Sequence, residues 1–264
     1  MMYYIEISAN TCTCKISING LGVDELDAKK VGSVQYPCNT ELIGKANKVA
    51  VEVMPASLDL ATLDKIRVDG LIKEYSPTDV ISPESGKVIA TFSLARRIAE
   101  IKGDPQALLK IADLVPFAIT AEFDSEDAPS LADRMVNAKP IENVETLKDW
   151  AIMFRGLLEK RDINGLYELY EPKLQDYDIA YPEQKEPDNR VWFENWMTNK
   201  IFPQTPFTAF RREDIDLKKW CDGRIWEIRL KDGNPLWRTQ GLNGMRKKIQ
   251  VYVGLVDGKI KIVR

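Results

Sequence analysis

Apolar positions in the first part of the chain recur at every second residue. In TCTCKISI, Cys12, Cys14, Ile16 and Ile18 alternate with Thr11, Thr13, Lys15 and Ser17, which sends one set of side chains to each face of a strand. Strands are therefore predicted at 3–8 and 12–18, followed by a turn at Asn19-Gly20, where positive φ is cheap. Further strands are predicted at 48–54, 66–75, 87–94 and 115–123, with turn clusters at 44–47, 76–79 and 82–86 between them. This punctuation predicts an antiparallel β-sandwich over residues 1–125. Residues 96–112 are helical in composition but broken at Gly103-Asp104-Pro105, so the expectation there is a connection of one or two short helices.

The stretch 124–141 is acidic, turn-rich and without sustained period, and the linker between two domains is placed at 126–142. From 143 the period is helical. Asn143 is the expected N-cap, and Val144, Leu147, Ala151, Phe154 and Leu158 form one apolar stripe. Asp162 caps a second segment carrying Ile163, Leu166, Tyr167 and Tyr170. Pro172 should end or kink it, because proline removes a helical hydrogen bond. A third helix begins near Pro187-Asp188 and sets Trp192 and Trp196 one turn apart. From 206 the period returns to two: FTAFRRE, GRIWEIRL, PLWRTQ, KKIQVYVGLV and KIKIV read as strands, with Asp222-Gly223, Asp232-Gly233 and Asp257-Gly258 as hairpin turns. Helices followed by an antiparallel meander make residues 143–264 an α+β domain.

Chain length agrees with two domains. No run of about 18 apolar residues suggests a membrane span, and the N-terminus has no signal-peptide pattern, so a cytoplasmic protein without a membrane role is expected. Cys12, Cys14, Cys38 and Cys221 are too few and too scattered for a disulfide scaffold and fit a reducing compartment. Charge is unevenly distributed. Residues 211–264 hold 14 Lys and Arg against 7 Asp and Glu, whereas the rest hold 23 against 33. That excess reads either as solvated strand surface or as a basic face for an acidic partner. Neither overall basicity nor a recognition motif points to nucleic acid.

The chain contains no histidine, so Ser-His-Asp and Cys-His mechanisms are excluded. The cysteine spacing does not suit a zinc site, and no phosphate- or dinucleotide-binding motif occurs, so neither metal nor cofactor is expected. Cys12 and Cys14 share a strand face and read as small core residues rather than a redox pair. Asp176, Tyr177 and Asp178, with Tyr181 following, are the acid/base candidates: a buried Asp beside a Tyr donor is suited to proton abstraction next to a carbonyl. The other reading is a solvated acidic helix end. Tyr167, Tyr170, Trp192, Trp196 and Trp237, with Arg211 and Arg229, are the candidate ligand- or partner-binding residues, the alternative being that the rings form core. In RIWEIRL, Trp226, Ile228 and Leu230 share one face and Glu227 and Arg229 the other. An outward Arg and Trp surface is thus a further candidate patch.

An amphipathic helix, the segment DINGLYELYEPK, a Trp-bearing helix and a sheet ending in VYVGLVDGKIKIVR together resemble the NTF2-like (cystatin-type cone) superfamily. The resemblance covers slightly under half of the chain. It implies a bent sheet wrapped around helices, often enclosing a pocket, and members that bind ligands or partners without catalysis, with a minority of isomerases and dehydratases. The dehydratase type uses histidine, which is absent here. SINGLGV and ELIGKANKVAVEVMP look like an accessory β-sandwich of the carbohydrate-binding or jelly-roll kind. The expectation is a non-catalytic, bacterial accessory or immunity-type protein holding a protein partner or small ligand. The alternative is a cone-fold isomerase using an Asp/Tyr pair.

Overall fold

In the computed structural model, Met2–Ile18 form one strand, β1, where the alternation predicts two. Thr11, at φ +59°, sits at a register shift in the pairing with β2 (Leu21–Pro37), and β1 continues past it. Before it Tyr3, Ile5, Ile7 and Ala9 face the core; after it Cys12, Cys14, Ile16 and Ile18 do. The Asn19-Gly20 turn has both φ values positive, as a two-residue hairpin requires. Nothing in the polar-rich sequence of β2 announces a strand of this length. Its conformation comes from pairing with β1 along almost its whole course.

The structure describes every residue except 83, 127, 186, 187, 205 and 240–247. The chain is α+β and divides into two compact units, Met1–Asp133 and Arg134–Arg264. In the first, β1 pairs on its other edge with two strands in turn. Its C-terminal half pairs with β3 (Asn47–Pro55) and its N-terminal half with β4 (Arg67–Tyr75). With β5 (Lys87–Ser93) and β6 (Phe117–Phe123), the order is β5-β4-β1-β3-β6. This corrects the sandwich expectation. All six strands belong to one antiparallel sheet, rolled until β5 and β6 approach each other, because the bulged β1 serves two pairs of strands. The helices are short: α1 (Leu60–Lys65), capped by Asp59, then α2 (Ala95–Gly103) and α3 (Pro105–Leu109). The break expected at 103–105 is present, with Asp104 accepting from the Gln106 amide at 2.9 Å.

Asn47 closes one end of this sheet. Its Oδ1 accepts from the Ile43 amide (2.8 Å) and from Asn19 Nδ2 (3.0 Å). Its Nδ2 is within reach of Gly44 O (3.1 Å), Phe123 O (3.3 Å) and Ser125 Oγ (3.0 Å).

The unit boundary falls within the segment read as a linker, and much of that segment is folded. It contains α4 (Asp133–Val136), and Ala128, Ala132, Met135 and Ile141 are buried. The Ala132 amide donates to Leu42 O at 3.0 Å, and the Ile141 amide to Gly223 O at 2.9 Å.

The second unit opens with α5 (Glu145–Lys160), α6 (Ile163–Ala180) and α7 (Asn189–Trp196). Asn143 Oδ1 accepts from the Glu145 amide (3.1 Å), Asp162 caps α6 through the Gly165 amide (3.0 Å), and Asp188 caps α7. Of the expected stripe Leu147, Ala151, Phe154 and Leu158 are buried, with Trp150 added, and Val144, just before α5, is partly buried. Then follow β7 (Ile215–Trp220), β8 (Ile225–Leu230), β9 (Trp237–Arg238), β10 (Lys248–Ile249), β11 (Val251–Val256) and β12 (Lys259–Ile262). The main sheet runs β12-β11-β8-β7, antiparallel throughout. FTAFRRE is not a strand. Asp214 accepts from the Arg211 amide at 2.8 Å and folds 212–214 into a 3-10 turn, so the strand starts at Ile215 instead. In PLWRTQ only Trp237–Arg238 pair as strand β9.

Pro172 does not end α6, which continues eight residues beyond it. The carbonyl deprived of its partner is that of Glu168, four residues earlier. Lys261 Nζ on β12 donates to that oxygen at 2.6 Å, so strand and helix are joined at the point the proline leaves open. Lys261→Met should cost about 1 kcal/mol in wild type and much less in a Pro172→Ala background, where a backbone amide is restored. A double-mutant cycle by urea denaturation checks this. Equal cost in both backgrounds would leave the lysine without that role.

Candidate functional site

Asp176 and Asp178, two residues apart on a helix, point to different faces. Asp176 is turned inward and 2% exposed. Its Oδ2 accepts from Arg134 Nη2 at 2.6 Å and lies 3.8 Å from Arg264 Nη1. Burial pushes its carboxyl above the ordinary 3.8, and the two guanidinium groups pull the other way without overcoming it. The carboxylate is thus shielded from water and occupied by arginine.

The sign of this shift has a consequence for stability. Asp176 holds its proton to higher pH when folded than when unfolded, so its contribution falls as pH rises from 3.8 through the raised folded value. Asp176→Asn should therefore gain on wild type in that window, as measured by melts from acid to neutral pH. A variant that instead loses ground as pH rises would show that the arginines outweigh burial.

Tyr177 and Asp178 lie elsewhere on α6, and Tyr181 follows its last residue. With Leu174 they form a helix face that meets the start of α7 and encloses a cavity of about 330 Å³. Trp192 and Asn189 supply the α7 side, and Lys173 is at its margin. Asn189 Nδ2 donates to Asp178 Oδ2 at 2.6 Å, which fixes the carboxylate at the wall. Tyr177 and Tyr181 have ring centroids 5.5 Å apart, tilted by 49°. Trp192 is stacked on Trp196 at 5.9 Å, with planes within 5°. Tyr177 and Trp192 keep much of their ring surface in solvent, at 43% and 37% exposure, while Tyr181 is buried.

The other candidate residues separate into groups. Tyr170 is buried between Phe154, Phe193 and Trp196, and burial raises its hydroxyl pKa. Tyr167 packs edge-on against Phe193 and carries the Arg190 guanidinium 4.8 Å from its ring. Burial and the nearby Glu171 raise its pKa. Trp237 is 1% exposed at the centre of the core, against Phe154 (4.3 Å), Trp150 and Phe210 (each 6.3 Å).

Arg211 and Arg229 do not join the tryptophans. Arg229 pairs with Asp216 at 2.9 Å and Arg211 with Glu213 at 3.1 Å. Glu227 is on the face opposite Trp226, as expected, but is buried and accepts from Gln250 Nε2 at 3.1 Å. Trp226 packs against the core. The Arg and Trp patch is thus not assembled. Of the basic residues in 211–264, Arg212 pairs outside the segment with Glu145 (2.6 Å) and Asp149 (3.0 Å), and Arg224 and Arg238 pair within it with Asp222 and Asp232.

In the first unit, Cys12 and Cys14 are buried with sulfurs 3.8 Å apart, and the hydrogen bond between them lowers the Cys12 pKa and raises that of Cys14. Asn189, Leu174 and Lys173 were missed by sequence reasoning. Leu174 falls three and four residues before Tyr177 and Asp178, a spacing that places it on their face. Asn189 has no local signal, since α7 brings it back across a turn. Among the described residues no helix is long and apolar enough to cross a membrane. In comparison with known proteins, the chain matches no family model, no curated protein sequence and no solved structure.

Proposed function

We propose that this chain is a non-catalytic binding protein, of an accessory or immunity type, whose NTF2-like second unit holds its ligand or partner at the α6/α7 pocket. The observation that carries the reading is the pocket itself: exposed aromatic surface from Tyr177 and Trp192 surrounds a carboxylate positioned by Asn189. Aromatic side chains with one wet edge suit recognition, because they bring large contact area at small conformational cost. Asp176, the acid/base candidate best shielded from water, is engaged by two arginines.

The second reading is an isomerase using Asp178 as base, favoured by the placement of a tyrosine and a carboxylate on one pocket wall. A thermal-shift screen of amines, sugars, small acids and anions separates the two. Ligands that bind only the folded state raise the melting temperature saturably. A shift abolished by Trp192→Ala, with the compound recovered unchanged, supports binding. Conversion of the compound, lost in Asp178→Asn while its binding persists, would replace this reading with the isomerase. A set of shifts unaffected by Trp192→Ala would place the binding surface elsewhere.

A further inference from the structure

Three aromatic rings and one carboxylate converge on the α6/α7 pocket, and their electrostatics have a definite sign. The face of a Tyr or Trp ring carries negative quadrupolar charge and its edge positive charge, so a ring that turns its face to a cavity attracts cations. Asp178 reinforces that preference. Among the described residues its carboxylate accepts a hydrogen bond from Asn189 and no ion pair to it is seen. The nearby guanidinium of Arg190 is already used, by Glu194 at 2.6 Å and by the Tyr167 ring. Lys173 opposes the trend from the margin of the pocket. A volume of about 330 Å³ admits a compact head group rather than a folded element.

We infer that the α6/α7 pocket is a receptor for an organic cation, an alkylammonium group held against Tyr177, Tyr181 and Trp192 with Asp178 as its counter-ion. The inference rests on the pocket reading above and names its ligand class. Ring faces stabilise a methylated ammonium without requiring hydrogen bonds, and the carboxylate adds attraction at short range. The same chemistry is presented by a free small molecule or by a methylated lysine side chain of a protein.

Calorimetric titration of the full chain tests this with choline, with its uncharged carbon isostere 3,3-dimethylbutan-1-ol, with benzoate, and with a short peptide carrying trimethyllysine. Choline should bind saturably and the isostere about tenfold more weakly. Asp178→Asn and Trp192→Ala should each weaken choline about tenfold. Melting curves of both variants that match wild type control for the fold. Peptide binding much tighter than choline identifies a protein side chain as the source, and comparable affinity identifies the free head group.

Equal binding of choline and its isostere, both lost in Trp192→Ala, would overturn the cation assignment while leaving the pocket as a binding site. Preference for benzoate would overturn it in the same way. No heat from any of the four probes would also overturn it, and the wider thermal-shift screen would then decide the pocket reading separately.

Discussion

Trp237→Ala is expected to destabilise the second unit by about 3–5 kcal/mol. The indole is 1% exposed and touches rings from both α5 and the segment before β7, so truncation opens a large cavity that the neighbouring aromatics cannot all fill. Its Nε1 has no hydrogen-bond partner among the described residues. That detail makes the companion variant informative: Trp237→Phe keeps a ring and removes an unsatisfied buried donor, and should cost markedly less than Trp237→Ala. All six tryptophans lie beyond residue 142, so fluorescence-detected urea denaturation reports on the second unit alone. A loss below about 1 kcal/mol for Trp237→Ala would mean that this ring is not the centre of the core.

Asn47→Ala should have the largest effect in the first unit, about 3–4 kcal/mol. The amide group is fully buried and joins β3 to the Asn19 turn, to the loop before it and to the chain leaving β6. Removing it strands several buried donors and acceptors at once, among them the Ile43 amide. Asn47→Asp should be no milder, since it keeps the acceptor, loses the donors and places a charge where no water reaches. Amide hydrogen exchange across β3 and β6 is the appropriate measurement. Protection unchanged in both variants would contradict a closing role for this residue.

Legibility in the sequence followed the range of the forces involved. Turns at Asn19-Gly20 and Asp257-Gly258 were readable because the requirement for positive φ is local. So was the α5 stripe, a matter of spacing along a single helix. β2 was not, because a strand with Asp24, Glu25 and Asp27 in it is held by its neighbour rather than by its own pattern. Where α6 continues through Pro172, Lys261, 89 positions later, donates to a carbonyl that no local rule would have supplied with a partner.

The candidate site divides along the same line. Tyr177, Asp178 and Tyr181 were visible as a cluster, and helical spacing already separates Asp178 from Asp176. That Trp192 would face them, and that Asn189 would fix the carboxylate, follows from the packing of α7 against α6. The charge count of the last 54 residues is incomplete for a related reason: a count along the chain cannot see Glu145 and Asp149 of α5 reaching Arg212.

The bulge at Thr11 acts as a one-position frameshift in the pleat of β1. Core-facing residues have odd numbers before it and even numbers after it, so a chain lacking Thr11 would still present every one of them inward. Such a deletion would, however, leave residues 29 and 30 of β2 with no counterpart on β1, at the place where β1 passes from β4 to β3. The inward face of β1 is thus indifferent to one residue more or less at this point, whereas its pairing with β2 is not. Related chains that vary here by a single insertion or deletion would keep the same buried composition and differ in how β1 pairs with β2.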